Sequence, residues 1–109
     1  MTSMESWQNL ITYLNSNPHD FSTVPKINRE KLWFFAETDG KYIFIKNAQR
    51  QRPSCQLSTT RRITYTDFDV VYSYYQRWAS GEVGVRDEVR KKSRNTAYIF
   101  GLITFLREG

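Results

Sequence analysis

The sequence predicts an α+β fold: a three-stranded antiparallel sheet with an N-terminal helix before it and two or three C-terminal helices after it, in the order α-β-β-β-α-α. Three observations predict it. Residues 3–16 carry apolar side chains at helical spacing. Residues 32–46 (LWFFAETDGKYIFIK) set two aromatic and β-branched runs around Asp39-Gly40. Beyond residue 66 the apolar positions return to helical spacing, interrupted at Gly81 and by a charged run. The 109 residues suit a single domain.

In the first helix, Met4, Trp7, Leu10, Ile11 and Leu14 form one stripe, and Thr2 with Glu5 has capping-box spacing. Pro18 ends it, because proline cannot continue a helix and restricts the residue before it. Residues 18–31 read as a polar connection from which Phe21, Val24 and Ile27 reach the core. Asp39-Gly40 reads as a tight hairpin turn, since the type I′ turn needs positive φ at both central residues. In the strand that follows, Tyr42 and Phe44 face one way and Ile43 and Ile45 the other. Both faces are apolar, so helices are expected to cover part of each. Residues 47–58 contain Pro53 and read as an exposed loop, and residues 59–65 (TTRRITY) read as the third strand.

Thr66 and Asp69 have the spacing of an N-cap and its third helical residue. They are expected to start a helix with Phe68, Val71, Tyr72, Tyr75 and Ala79 as its stripe, stopped at Gly81. Residues 85–92 read as a short charged helix. Ser93 or Asn95 can cap a last helix over residues 96–106. Its Tyr98, Ile99, Leu102, Ile103, Phe105 and Leu106 leave almost no polar face, and Gly101 suggests close packing. A helix this apolar is expected to be partly buried and partly met by a second copy of the chain through Ile99, Leu102, Ile103 and Leu106.

The chain has sixteen Lys and Arg against eleven Asp and Glu, a net charge of +5. That balance favours nucleic acid or another anionic partner. Three Trp, seven Tyr and seven Phe supply a core despite only 39% hydrophobic residues. The lone Cys55 forms no internal disulfide, so a reducing, cytoplasmic setting is expected. Neither a signal peptide nor a membrane span is expected, because no basic start precedes an apolar run and no run reaches about 18 apolar residues. One His and one Cys give no zinc set, and no glycine-rich phosphate loop occurs among five scattered glycines. The sequence therefore suggests no enzyme, metal or cofactor.

Two basic stretches are the candidate sites. Residues 46–62 (KNAQRQRPSCQLSTTRR) hold Lys46, Arg50, Arg52, Arg61 and Arg62 with no acidic residue. Such cations, with the amides and hydroxyls among them, contact phosphates and base edges; the competing reading is a solvated loop. In residues 86–94 (RDEVRKKSR), Asp87 precedes Lys91 by four and Glu88 precedes Lys92 by four, the favourable pairing on a helix. If the whole segment is helical, Arg86, Arg90 and Arg94 form one row beside Lys91, suited to bidentate phosphate contacts. Ser93, Asn95 and Thr96 follow at a helix start, where free amides attract anions; the competing reading is a surface helix with ordinary ion pairs. Trp33, Phe34, Phe35, Tyr42 and Phe44 read first as core and second as a stacking surface for single strands.

RRITYTDFDVVYSYYQRWASGE and the later SRNTAYIFGLITFL, in residues 61–106, resemble a small accessory module of prokaryotic restriction-endonuclease-associated proteins. Arg62, Ile63, Phe68, Gly81, Asn95, Tyr98, Ile99 and Leu102 carry the likeness, which covers less than half of the chain. It implies a DNA-associated module without its own catalytic centre. The expectation is thus a non-catalytic module that binds nucleic acid through phosphates. The alternative is a protein-interaction or homodimeric module using the last helix.

Overall fold

Four strands, not three, build the sheet in the computed structural model, which describes residues 2–24, 33–49 and 59–108. The order is α1 (Ser3–Ser16), β1 (His19–Ser22), β2 (Trp33–Thr38), β3 (Ile43–Asn47), β4 (Arg61–Ile63), α2 (Tyr65–Ala79), α3 (Val85–Arg90) and α4 (Thr96–Glu108). The strands lie in the order β1-β2-β3-β4, every neighbouring pair antiparallel. The extra strand, β1, runs through the expected polar connection. Its four residues, HDFS, contain one aliphatic or aromatic-carbocycle side chain, so no alternation marks them. Pairing with β2 makes them a strand: His19 lies opposite Ala36 and Phe21 opposite Phe34. Phe21 is buried and Val24 half-buried, while Ile27 lies outside the described residues.

The expected capping box at the start of α1 is present, with Thr2 Oγ1 accepting from the Glu5 N–H and Glu5 Oε1 accepting from the Thr2 N–H. The β2–β3 connection departs from a two-residue turn. Thr38 pairs with Ile43, which leaves the four residues 39–42 as the loop. The Asp39 carboxylate builds it by accepting from the N–H groups of Lys41 and Tyr42, at 2.9 and 2.8 Å. Gly40 follows at φ +96°, a conformation open to glycine at no steric cost. Asp-Gly thus marked the turn correctly, and the side chain of Asp39 sets its length.

Strand alternation sorts the sheet into two faces. Phe21, Phe34, Ala36, Ile43, Ile45 and Ile63 lie on the inner face and are all buried. Trp7, Leu10 and Leu14 of α1, Phe68, Val71 and Tyr75 of α2, and Ile99 to Ile103 of α4 complete that core. The outer face carries Asp20, Trp33, Phe35, Glu37, Phe44, Lys46 and Arg62, none of which belongs to the core cluster. Among the described residues the helices build their core on one face of the sheet, where cover of part of each was expected.

Helix α4 is the centre of the packing. Tyr98, Ile99, Phe100, Leu102 and Ile103 are each at most 6% exposed. The apolar surface expected to meet a second copy is covered by the chain itself: Ile99, Leu102 and Ile103 are core residues, and Leu106 packs half-buried against them. Gly101 is what brings α4 so close to the sheet, since a Cβ there would stand 2.6 Å from the backbone oxygen of Ser22.

The cap of α2 is Thr64, two residues before the expected Thr66, and Thr64 Oγ1 accepts from the Asp67 N–H at 3.2 Å. Thr64-x-x-Asp67 and Thr66-x-x-Asp69 offer the same chemistry, and burial of Ile63 at the strand end selects the first. Thr64→Ala is therefore expected to cost about 1 kcal/mol in urea unfolding, while Thr66→Ala, at an exposed site, changes stability by less than about 0.5 kcal/mol.

Three exposed carboxylates titrate below their ordinary values. Glu5 is held down by the Thr2 N–H and hydroxyl, Asp39 by the N–H groups of Tyr42 and Lys41, and Glu82 by its hydrogen bond from Arg77. A carboxyl whose folded pKa is depressed stabilises the fold above its unfolded pKa and loses that contribution as pH falls through the folded value. The urea midpoint is expected to drop on acidification below about pH 4, the unfolded carboxylate range. Asp39→Asn should make that drop shallower.

Candidate nucleic-acid interface

The two basic stretches meet through Arg61. On β4, Arg61 and Ile63 share the inner face and Arg62 takes the outer one. Arg61 Nη1 donates to the backbone oxygen of Arg94 at 2.9 Å and to Asn95 Oδ1 at 3.4 Å, and its guanidinium lies 5.5 Å from the centre of the Tyr98 ring. It braces β4 against the start of α4. That role leaves Arg61 half-buried and committed within the chain, unlike the free phosphate contact its sequence position suggested.

Arg62 stands exposed on the outer face opposite Phe44, with its guanidinium 4.8 Å from the centre of the Tyr42 ring. Lys41 approaches the same ring at 5.2 Å. Tyr42 thus gathers two cations at one corner of the sheet, a role its place in an apolar run does not suggest. Lys46 lies on the same face but is paired with Glu37 at 2.6 Å. Arg50 and Arg52 lie outside the described residues.

The second stretch does not form one arginine row. Helix α3 ends at Arg90 with Lys91 as its C-cap, and residues 91–95 turn toward α4, so Arg94 leaves the α3 face. The expected pairs Asp87–Lys91 and Glu88–Lys92 are also replaced. Asp87 lies 3.8 Å from Arg90, and Glu88 is taken by Arg77 of α2, which also holds Glu82. Lys91, Lys92 and Arg94 are left exposed, with no ion pair among the described residues.

The start of α4 is occupied by its own side chains. Ser93 Oγ accepts from the Asn95 N–H, Thr96 Oγ1 donates to the Ser93 carbonyl, and Asn95 Nδ2 donates to Asp67 at 2.8 Å. Ser93 and Thr96 are buried, and a carboxylate already stands beside the turn. Ser93, Asn95 and Thr96 therefore work as a helix start and do not present an open anion cradle. The exposed cations next in sequence to the Arg61 brace are Arg62, on the outer face of β4, and Lys91, Lys92 and Arg94; Lys92 was not among the sequence candidates.

Arg86 and Arg90 share a face of α3, one turn apart. Arg86 lies half-buried over Trp78 and Phe100, 5.6 and 5.3 Å from their ring centres. Burial first, and the Arg90 charge second, hold its pKa below the ordinary arginine value. His19 is also accounted for locally: its ring stacks on Phe21 at 4.0 Å and hydrogen-bonds Tyr13 Oη at 3.0 Å. Among the described residues no group of three or more His, Cys, Asp and Glu could hold a metal ion, and no helix is long and apolar enough to cross a membrane.

Comparison with protein-family models, curated proteins and solved structures finds no match to this chain.

Proposed function

We propose that the chain is a non-catalytic nucleic-acid-binding module whose phosphate contacts run along the β4–α4 junction. The observation that carries this reading is the Arg61–Arg94 hydrogen bond, which sets two stretches 33 residues apart side by side. Arg62 follows Arg61 on the other face of the edge strand β4, and Lys91, Lys92 and Arg94 lie in the turn that the bond holds; none of the four has a carboxylate partner among the described residues. Four exposed cations around a rigid brace can follow successive phosphates, and guanidinium groups can hold them in pairs of hydrogen bonds. Lys46 and Arg90 are auxiliary contacts in this proposal, because each must first leave its carboxylate.

The resemblance of residues 61–106 to an accessory module of restriction-endonuclease-associated proteins spans the same junction and favours DNA and a prokaryotic, cytoplasmic setting. A homodimer through α4 has no such support, since Ile99, Leu102 and Ile103 are core residues.

The test is titration of the full chain with labelled single-stranded DNA, single-stranded RNA and duplex DNA, followed by fluorescence anisotropy. Four phosphate contacts predict a slope of log K against log salt near −3 to −4, so affinity should fall by about 10²-fold between 50 and 200 mM salt. Absence of binding to all three probes at low salt overturns the proposal.

A further inference from the structure

Arg86 is the one half-buried cation of the C-terminal helices whose local acids are all engaged elsewhere. Three carboxylates lie within six residues of it. Arg77 takes Glu82 and Glu88, and Arg90 draws Asp87 to 3.8 Å. Among the described residues Arg86 therefore has ring contacts and no anionic partner. A cation–π contact draws on the guanidinium charge and leaves its N–H groups able to hydrogen-bond. Half-burial over the two rings restricts the side chain before any ligand arrives, which lowers the ordering cost of binding. Arg90, four residues on, adds a second positive charge on the same face, and two like charges at this spacing repel until an anion lies between them.

We propose that Arg86 and Arg90, with Trp78 and Phe100 as its floor, form a subsite for a phosphate group. The tetrahedral phosphate would take two parallel N–H donors from Arg86 and a further donor from Arg90, displacing the long contact to Asp87. Arg86, Trp78 and Phe100 lie outside the residues of the β4–α4 junction, and only Arg90, an auxiliary contact there, is shared, so the subsite stands independently of the proposal made for that junction. A nucleic-acid backbone and the free ion both supply such a phosphate, because the recognising chemistry is shared.

The experiment is NMR of the full chain, following the Arg86 Nε–Hε and Trp78 Nε1–Hε1 signals during titration with inorganic phosphate, with oligothymidylate and with chloride at matched ionic strength. Saturable shifts of both signals with either phosphate probe, beyond the chloride control, are expected. Shifts with oligothymidylate identify a backbone phosphate as a source, and shifts with inorganic phosphate alone identify the free ion. Arg86→Lys keeps the charge but loses the paired donors, and should weaken the response about tenfold or more. Arg90→Gln, at an exposed position, should also weaken it and does not depend on repacking of the rings. If neither probe moves the two signals beyond the chloride control, or if Arg90→Gln and Arg86→Lys both respond as the parent does, the subsite is overturned. Oligonucleotide binding with Arg86 silent to both probes overturns the subsite alone. A phosphate response without oligonucleotide binding overturns the β4–α4 proposal alone.

Discussion

Gly101→Ala is expected to destabilise the fold by about 1–3 kcal/mol, although alanine is the better helix former. In an exposed helix the change would gain about 1 kcal/mol. Here the new methyl would stand 2.6 Å from Ser22 O and 3.3 Å from Phe34 Cε1. The nearest atom belongs to the β1 backbone, which is paired with β2 through Ser22 and Trp33. It cannot swing aside as a side chain would. Either α4 lifts from the sheet, loosening Tyr98, Ile99 and Leu102, or β1 shifts and strains its ladder. Overpacking of a dense core typically costs about 1–3 kcal/mol, which outweighs the helix-propensity gain when the obstacle is backbone. Urea unfolding followed by circular dichroism should show a lower midpoint with an unchanged slope. A higher midpoint would mean that α4 is not pressed against β1 at Gly101.

Gly101 also shows how far the sequence can be read. Close packing at that position was legible, because a glycine inside an apolar helix otherwise lowers stability for no return. The surface it packs on was not, since β1 carries only Phe21 as an aliphatic or carbocyclic signal and becomes a strand through pairing with β2. Helix α1, the β2–β3 hairpin and α4 were legible because each repeats its apolar residues at a clear period. The α2 start was ambiguous for a chemical reason: Thr64 and Thr66 stand equally well before an aspartate. At the candidate site the limits are of another kind. Helical spacing can pair Glu88 with Lys92, but it cannot see Arg77, which approaches from α2 and takes that carboxylate. It cannot see that Val89 O accepts from both Lys92 and Ser93 as α3 closes into a turn. Alternation along the strand does separate Arg62 from Ile63, and the buried Ile63 puts Arg61 on the interior side and Arg62 on the surface.

Arg61 and Arg62 are adjacent, carry the same charge and should nevertheless fail in different assays. Arg61→Lys keeps the positive charge but cannot hold the Arg94 carbonyl and Asn95 while lying over Tyr98. It should lower stability by about 1 kcal/mol, the net worth of a hydrogen bond from a charged donor to a partly exposed acceptor, and leave the salt slope of oligonucleotide binding close to the parent value. Arg62→Ala removes an exposed side chain whose main contact is the Tyr42 ring. Its stability should change by no more than about 0.5–1 kcal/mol. Its salt slope should fall by about one unit, and the quadruple variant Arg62→Ala, Lys91→Ala, Lys92→Ala, Arg94→Ala should lose three to four units and about 10²-fold or more in affinity at 50 mM salt. The two readouts separate because one arginine positions the junction and the other meets solvent from it. If Arg62→Ala and the quadruple variant bind oligonucleotide with the parent slope, the phosphates are not held along β4 and the start of α4. If Arg61→Lys is as stable as the parent, the brace does not join the two basic stretches, and the reason for treating them as one surface is gone.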